Sequence, residues 1–231
     1  MDARAIYLGQ GVYAVREAAR LSGVAAPTIR RWLSGYKYRV GCEERNSPPV
    51  WSPDFPRIHD RAALSFRDLM ELRFVNYFLQ HGVPWATLRG AAKHAALILE
   101  SSHPFSVKRF RTDGKRIFLE FAHESGELHL LELIRSQWNI PEFVSPRLYE
   151  GLDYEDGMIT RWHPRQEMER ILVDPSISFG QPVVAPSYVP SSVLARAFLA
   201  ERSALAVAEW YQVDEQSVLE AIGFEKSLVA A

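Results

Sequence analysis

Across 231 residues there is a single cysteine, Cys42, which excludes an internal disulfide and any multi-cysteine metal site. Long apolar runs are missing too: none approaches the roughly 18 residues that span a bilayer, so no membrane partner is expected. The opening residues, MDARAIYLGQGVYAV, lack a continuous apolar core followed by a small-residue cleavage site. A secretory leader is therefore not expected, and a cytoplasmic location is. Catalytic signatures are equally scarce. There is no Gly-x-Ser-x-Gly, phosphate loop or dinucleotide fingerprint. His81, His94, His103, His123, His129 and His163 are scattered, with no H-x-x-x-H pair on one helix, and read as surface or edge residues. Asp153, Glu155 and Asp156 around Gly157 read as turn residues rather than cation ligands. The expectation is a protein without enzyme activity, cofactor or metal centre.

Charge is abundant but unevenly placed. The net charge of −1 divides into +9 over residues 1–118 and −10 over residues 119–231. Either the halves face different partners, the basic one a polyanion, or they attract one another.

Residues 12–33 read as two short helices with a tight turn. Val12 and Tyr13 lead into Val15, Ala18, Ala19 and Leu21 on one helical face. Gly23 in Ser22-Gly23-Val24 can take a positive φ. Pro27 then fits the first turn of a second helix, where its missing N–H costs nothing, and Ser34-Gly35 stops that helix. In this helix Ile29, Trp32 and Leu33 pack inward while Thr28, Arg30 and Arg31 face out. Tyr36, Lys37, Tyr38 and Arg39 follow directly. That is the pattern of a helix–turn–helix: basic and polar side chains on the second helix for base edges and phosphates, an apolar rear face on the first. Thr28, Arg30, Arg31, Tyr36, Lys37, Tyr38 and Arg39 are the candidate DNA-binding residues.

Residues 36–60 hold too many prolines for a helix and read as a loop or β-wing. Ser65 then caps a helix that runs to Gly82, and another is expected from Trp85 to about Glu100. Over 103–165 the pattern suggests strands. Val107 through Phe121 alternate about Asp113-Gly114, a hairpin signal; a second turn at Ser125-Gly126 leads into Leu128–Ile134. A third turn, at Glu155-Asp156-Gly157, joins 148–154 to 158–162. After a proline-rich connector, 174–190, Ser191 or Ser192 caps a helix, and Leu205, Ala208, Tyr211, Val213, Val218, Ala221 and Ile222 have the spacing of a second helix–turn–helix. Acidic residues surround this unit, from Glu209 to Glu225, and would repel phosphate, so it reads as a protein-binding or dimerising module. The fold class expected is α+β, with domains at 1–102, 103–165 (β-rich) and 166–231.

The stretches YAVREAARLSGVAAPTIRRW and SFRDLMELRFVNYFLQHGVPWATLRGA resemble the MerR-type winged helix–turn–helix. ILVDPSISFGQPVV and ALAVAEWYQVDEQSVLEAI resemble the small helix–turn–helix family called domain of unknown function 433. Together, over nearly the whole chain, they look like the longer VapB-type antitoxins. The resemblance implies a homodimeric antitoxin of a type II toxin–antitoxin system, binding operator DNA to repress its own synthesis and neutralising a PIN-domain, VapC-type ribonuclease. Cations in the acidic half, Arg161, Arg165, Arg170, Arg196 and Arg202, are the candidates to cross the nuclease's acidic site. The alternative is a MerR-like transcription regulator whose middle domain senses a ligand or dimerises.

Overall fold

The computed structural model describes residues 7–57, 61–128 and 146–229. Helices alternate with small sheets, so the class is α+β as expected. Two compact units emerge. One comprises Ala14–Tyr149 with Tyr154–Ile159; the other comprises Met1–Tyr13, Glu150–Asp153 and Thr160–Ala231.

In the first, helix-rich unit, α1 (Val15–Ser22) begins where the Glu17 carboxylate accepts the Ala14 N–H at 2.8 Å. It ends at Gly23, whose φ of 71° lets its N–H reach the Ala19 carbonyl. Helix α2 (Ala26–Ser34) carries Pro27 in its first turn and buries Ile29, Trp32 and Leu33, as the spacing requires. Strands β1 (Tyr36–Val40) and β2 (Glu43–Ser47) form an antiparallel wing, Tyr36 opposite Ser47 and Arg39 opposite Glu44. Gly41 and the exposed Cys42 make its tip. Helix α3 (Phe66–Gln80) is capped by Ser65, which accepts the Asp68 N–H. Helix α4 (Trp85–Leu99) follows Pro84, and a 3-10 turn at Pro104–Ser106 leads to α5 (Phe110–Ser125). A short turn of helix, α6 (Pro146–Tyr149), completes the set.

The core of this unit is aromatic. Phe66, Phe74, Phe78, Phe105, Phe110 and Phe118 are fully buried, each contributing roughly 1.5–3 kcal/mol through removal from water. Phe78 sits at the centre, its ring 5.3 Å from Phe105 and 5.1 Å from Phe118.

Helix α5 corrects the sequence reading. The strands expected about Asp113-Gly114 are a continuous helix in which Phe110, Gly114, Ile117, Phe118 and Ala122 are buried at helical spacing. Gly114 is small because of packing: an added Cβ would come within 2.9 Å of the Phe110 ring. The further strand expected through Leu130, Leu131, Leu133 and Ile134 lies outside the described residues. Among the described residues the β character expected over 103–165 is confined to one hairpin, β3 (Leu152–Glu155) with β4 (Met158–Trp162). Its turn is the one expected, Asp156 and Gly157 both having positive φ.

In the second unit, β5 (Ile171–Leu172), β6 (Val183–Val184) and β7 (Val189–Pro190) form an antiparallel sheet in that order. Residues 11–13, expected in the N-terminal domain, join this unit: the Gly11 and Val12 amides donate to the Pro175 and Phe179 carbonyls, and the Tyr13 hydroxyl to the Gly180 carbonyl. Three helices follow, α7 (Ser191–Glu201), α8 (Ala204–Tyr211) and α9 (Glu215–Val229). They close around Leu194, Val207, Val218, Ala221 and Phe224. Val207 takes the inward place expected of Leu205, which is exposed. Ser191 is not a cap; its hydroxyl donates to the Glu225 carboxylate at 2.6 Å.

Candidate nucleic-acid interface

Turning at Gly23 sets α2 across α1, so the side of α2 opposite Ile29, Trp32 and Leu33 is free of the core. Arg30 and Arg31 are exposed there, and Thr28 is half-buried. Arg30 and Arg31, but not Thr28, border a groove of about 660 Å³ that is also lined by Arg16 of α1 and two further arginines, Arg57 and Arg61. Among the described residues its lining holds five arginines and no carboxylate. None of the five forms an ion pair among the described residues. Five unpaired guanidinium groups around one concavity focus a positive potential, which attracts a polyanion. Arg57 is positioned by a hydrogen bond to Ser34 Oγ at 3.2 Å, and Arg31 lies over the Tyr36 ring at 5.5 Å.

The wing is less charged than its sequence suggests. Lys37 pairs with Glu44 across the strands at 2.8 Å, and Arg45 with Glu43 at 3.2 Å. Both pairs are exposed and so worth little, but a phosphate would have to displace them. Lys37, Tyr38 and Arg39 are exposed on the wing and Tyr36 is half-buried at its base. The α2 face and the wing were therefore evident from sequence, whereas Arg16, Arg57 and Arg61 were missed. A signal for Arg16 did exist, in its place beside Val15 at the start of α1. Arg57 and Arg61 lie in a proline-rich stretch without periodicity, where no pattern assigns a face.

Rigid supports hold these elements. Trp32 stacks on Trp85 at 5.4 Å, the Val50 amide donates to the Trp32 carbonyl, and Arg89 donates to Ser47 Oγ at the foot of β2. The loop that carries Arg57 is tied down by Asp68. This buried carboxylate accepts the Trp51 indole N–H at 2.7 Å, the Ser65 amide at 2.9 Å and the Asp54 amide at 3.3 Å. It also meets His103 Nε2 at 2.8 Å. His103 was expected at the surface; it is fully buried, its Nδ1 near Arg67 and Ser102. Burial alone would raise the Asp68 pKa, but the His103 bond and charge and the donated N–H groups hold it below the usual carboxylate value. Burial opposes the His103 imidazolium, yet Asp68, with Glu71 and Asp54, outweighs it and raises that pKa. Asp54, Asp68 and His103 are close enough to hold a cation; their hydrogen bonds already make them a structural clasp.

Glu71, one turn further along α3, accepts the Phe105 and Ser106 amides. Burial pushes its carboxyl up to about 7, against the pull of His103 and those amides. With a folded pKa above the ordinary 4.5, the folded state binds the extra proton between these values. Stability therefore falls as pH rises through that window. Comparing urea unfolding at about pH 5 and about pH 8, wild type should lose roughly 3 kcal/mol more than Glu71→Gln. Parallel losses in the two proteins would mean that Glu71 ionises without penalty.

The five cations in the acidic half all lie in the second unit. Arg161, on β4, donates to Asp174 at 2.8 Å, and Arg170 donates to Glu220 at 2.9 Å while approaching Asp214. Neither is an isolated cation. Arg165 and Arg196 are exposed and bond to nearby carbonyls, and exposed Arg202 terminates α7 with φ of 58°.

No family model matches this chain, and no curated protein does. Among solved structures, the crystal structure of Rv2018 from Mycobacterium tuberculosis is similar, with a TM-score of 0.66 and 20% identity. The match covers 91% of this chain and 96% of that one. At that identity the likeness is one of fold.

Proposed function

We propose that this chain is a DNA-binding antitoxin that represses its own operon and neutralises a PIN-domain, VapC-type ribonuclease. The observation that carries the DNA-binding part is the groove along the exposed side of α2, lined by five arginines and, among the described residues, by no carboxylate. Arginine suits the task because its planar fork pairs with guanine O6 and N7 or with phosphate oxygens. Arg30 and Arg31 lie on the helix that would enter the major groove. Arg16, Arg57 and Arg61, on flanking elements, would hold the backbone. The toxin-binding part rests on the antitoxin-like sequence of residues 170–225, and the exposed Arg165, Arg196 and Arg202 are its remaining candidates. A homodimer would match a palindromic operator.

Fluorescence anisotropy with a duplex from upstream of the protein's own reading frame tests the first part. Arg30→Ala and Arg31→Ala should each weaken binding by about 1–3 kcal/mol if a base contact is lost. Fold stability should hardly move, because exposed polar sites contribute little. Equal binding by wild type and the double variant would refute the interface. Pull-down of the tagged chain from its host tests the second part. A small nuclease retained in stoichiometric amount supports it; its absence removes the toxin and leaves the DNA-binding part standing.

A further inference from the structure

We infer that Asp54 is a positioning residue for the arginine groove: its carboxylate closes the base of the segment that carries Arg57 and Arg61, and so lets those two side chains grip phosphates of a duplex backbone together. The inference rests on the DNA-binding reading and adds to it a residue, not itself in the groove, that sets the groove's hold on DNA.

The chain leaves the buried clasp at Asp54 and returns to it at Ser65. Across these 11 positions the Ser65 hydroxyl donates to Asp54 Oδ2 at 2.7 Å. Both residues are also tied to one oxygen of Asp68, which accepts the Asp54 amide at 3.3 Å and the Ser65 amide at 2.9 Å. Of the described residues in between, Phe55, Ala63 and Leu64 are buried, whereas Arg57 and Arg61 are exposed. The ends of the segment thus sit in the core, and the two arginines stand outside it, where both line the groove.

A carboxylate three residues from Arg57 would work against a phosphate site unless its charge were balanced locally. Asp54 is not among the residues lining the groove. Arg67 Nε lies 3.9 Å from its Oδ2, and His103 Nδ1 lies 3.8 Å from its Oδ1. The charge of Asp54 is one of those that favour the His103 imidazolium. The carboxylate is therefore engaged with cations of the clasp and leaves the groove positive. Alanine at this position would remove the acceptor of the Ser65 hydroxyl, leaving the base held by Asp68 and the buried apolar residues. Two guanidinium groups held at a fixed spacing bind two phosphates without the ordering cost that a wandering segment incurs.

The test counts phosphate contacts rather than stability. Binding of the full chain to the duplex from upstream of its own reading frame is followed by fluorescence anisotropy over a range of potassium chloride concentrations. The slope of log K against log salt changes by about 0.9 for each phosphate contact. Arg57→Ala/Arg61→Ala should make the slope shallower by about 1.8, the equivalent of two contacts. Asp54→Ala should do so by at least about 0.9, and should add nothing further to the arginine double variant. Asp54→Asn keeps an acceptor for the Ser65 hydroxyl and should restore the wild-type slope. A merely structural role would lower the folded fraction, which circular dichroism measures, without altering the slope. Should Asp54→Ala not fold, Asp54→Ser takes its place. An unchanged slope in Asp54→Ala or in Arg57→Ala/Arg61→Ala overturns the proposal. So does a slope that falls further in the triple variant, or one in Asp54→Asn as shallow as in Asp54→Ala. Wild-type protein that binds without salt dependence, or not at all, overturns the DNA-binding reading as well, so the two failures are told apart.

Discussion

Replacing Asp68 by alanine should cost the helix-rich unit about 3–5 kcal/mol, the range found when one partner of a buried pair is removed. Four donors converge on this carboxylate: the Trp51 indole, the Ser65 and Asp54 amides and His103 Nε2. Alanine would leave them buried without an acceptor, and each orphan carries a desolvation penalty. The milder substitution Asp68→Asn keeps one acceptor oxygen but turns an NH₂ toward other donors, so a smaller but substantial loss is expected. The acid limb of the stability curve should carry the same signature. A carboxylate whose folded pKa lies below its ordinary 3.8 contributes stability above that pH, lost as pH falls through the folded value. Urea unfolding of wild type and both variants between neutral and acid pH measures all of this. A loss below about 1 kcal/mol for Asp68→Ala would mean that water reaches the cluster and the clasp does not hold.

The second large effect is expected at Gly35, between α2 and the wing. Its φ of 69° and ψ of 179° place it in a region essentially reserved for glycine, where another residue costs about 1–3 kcal/mol in backbone strain. Space is short as well: an added Cβ would lie 2.5 Å from the Ser47 carbonyl oxygen and 3.2 Å from the backbone of Pro48. Both neighbours are backbone, so neither can swing aside as a side chain would. Gly35→Ala should therefore destabilise by more than the strain alone and shift the wing relative to α2, loosening the cross-strand pairing that starts at Tyr36 and Ser47. Unfolding free energy and amide exchange at the foot of the wing report the two parts. A variant within about 0.5 kcal/mol of wild type with unchanged exchange would show the turn to be tolerant.

Local signals were the legible ones. The α1–α2 turn at Gly23, the buried Ile29, Trp32 and Leu33, the Ser65 cap and the Asp156-Gly157 turn each depend on residues within a few positions, and the structure places them as the sequence indicates. Helix α5 was misread because Asp113-Gly114 between apolar residues satisfies a hairpin template. Phe110, Gly114, Ile117, Phe118 and Ala122 satisfy a helical one equally well. The aromatic core decides between them by burying those five. The clasp and two of the groove arginines were invisible for a different reason. His103 meets Asp68 across 35 positions, and Trp51 meets it across 17, so nothing in either neighbourhood announces the pairing. Arg57 and Arg61 reach the groove because that clasp fixes their loop. Arg161 and Arg170 looked isolated in sequence for the same reason: their carboxylate partners lie 13 and 50 residues away.

The chain's sole thiol, Cys42, stands in solvent at the wing tip. It is next to Gly41 and remote in sequence from every group of the arginine groove except those of α2. A maleimide fluorophore would therefore attach at one place, on a hairpin end that holds no part of the core. Such a reporter would follow the wing alone, distinguishing a hairpin that closes on a duplex from one that stays still while α2 makes the contact.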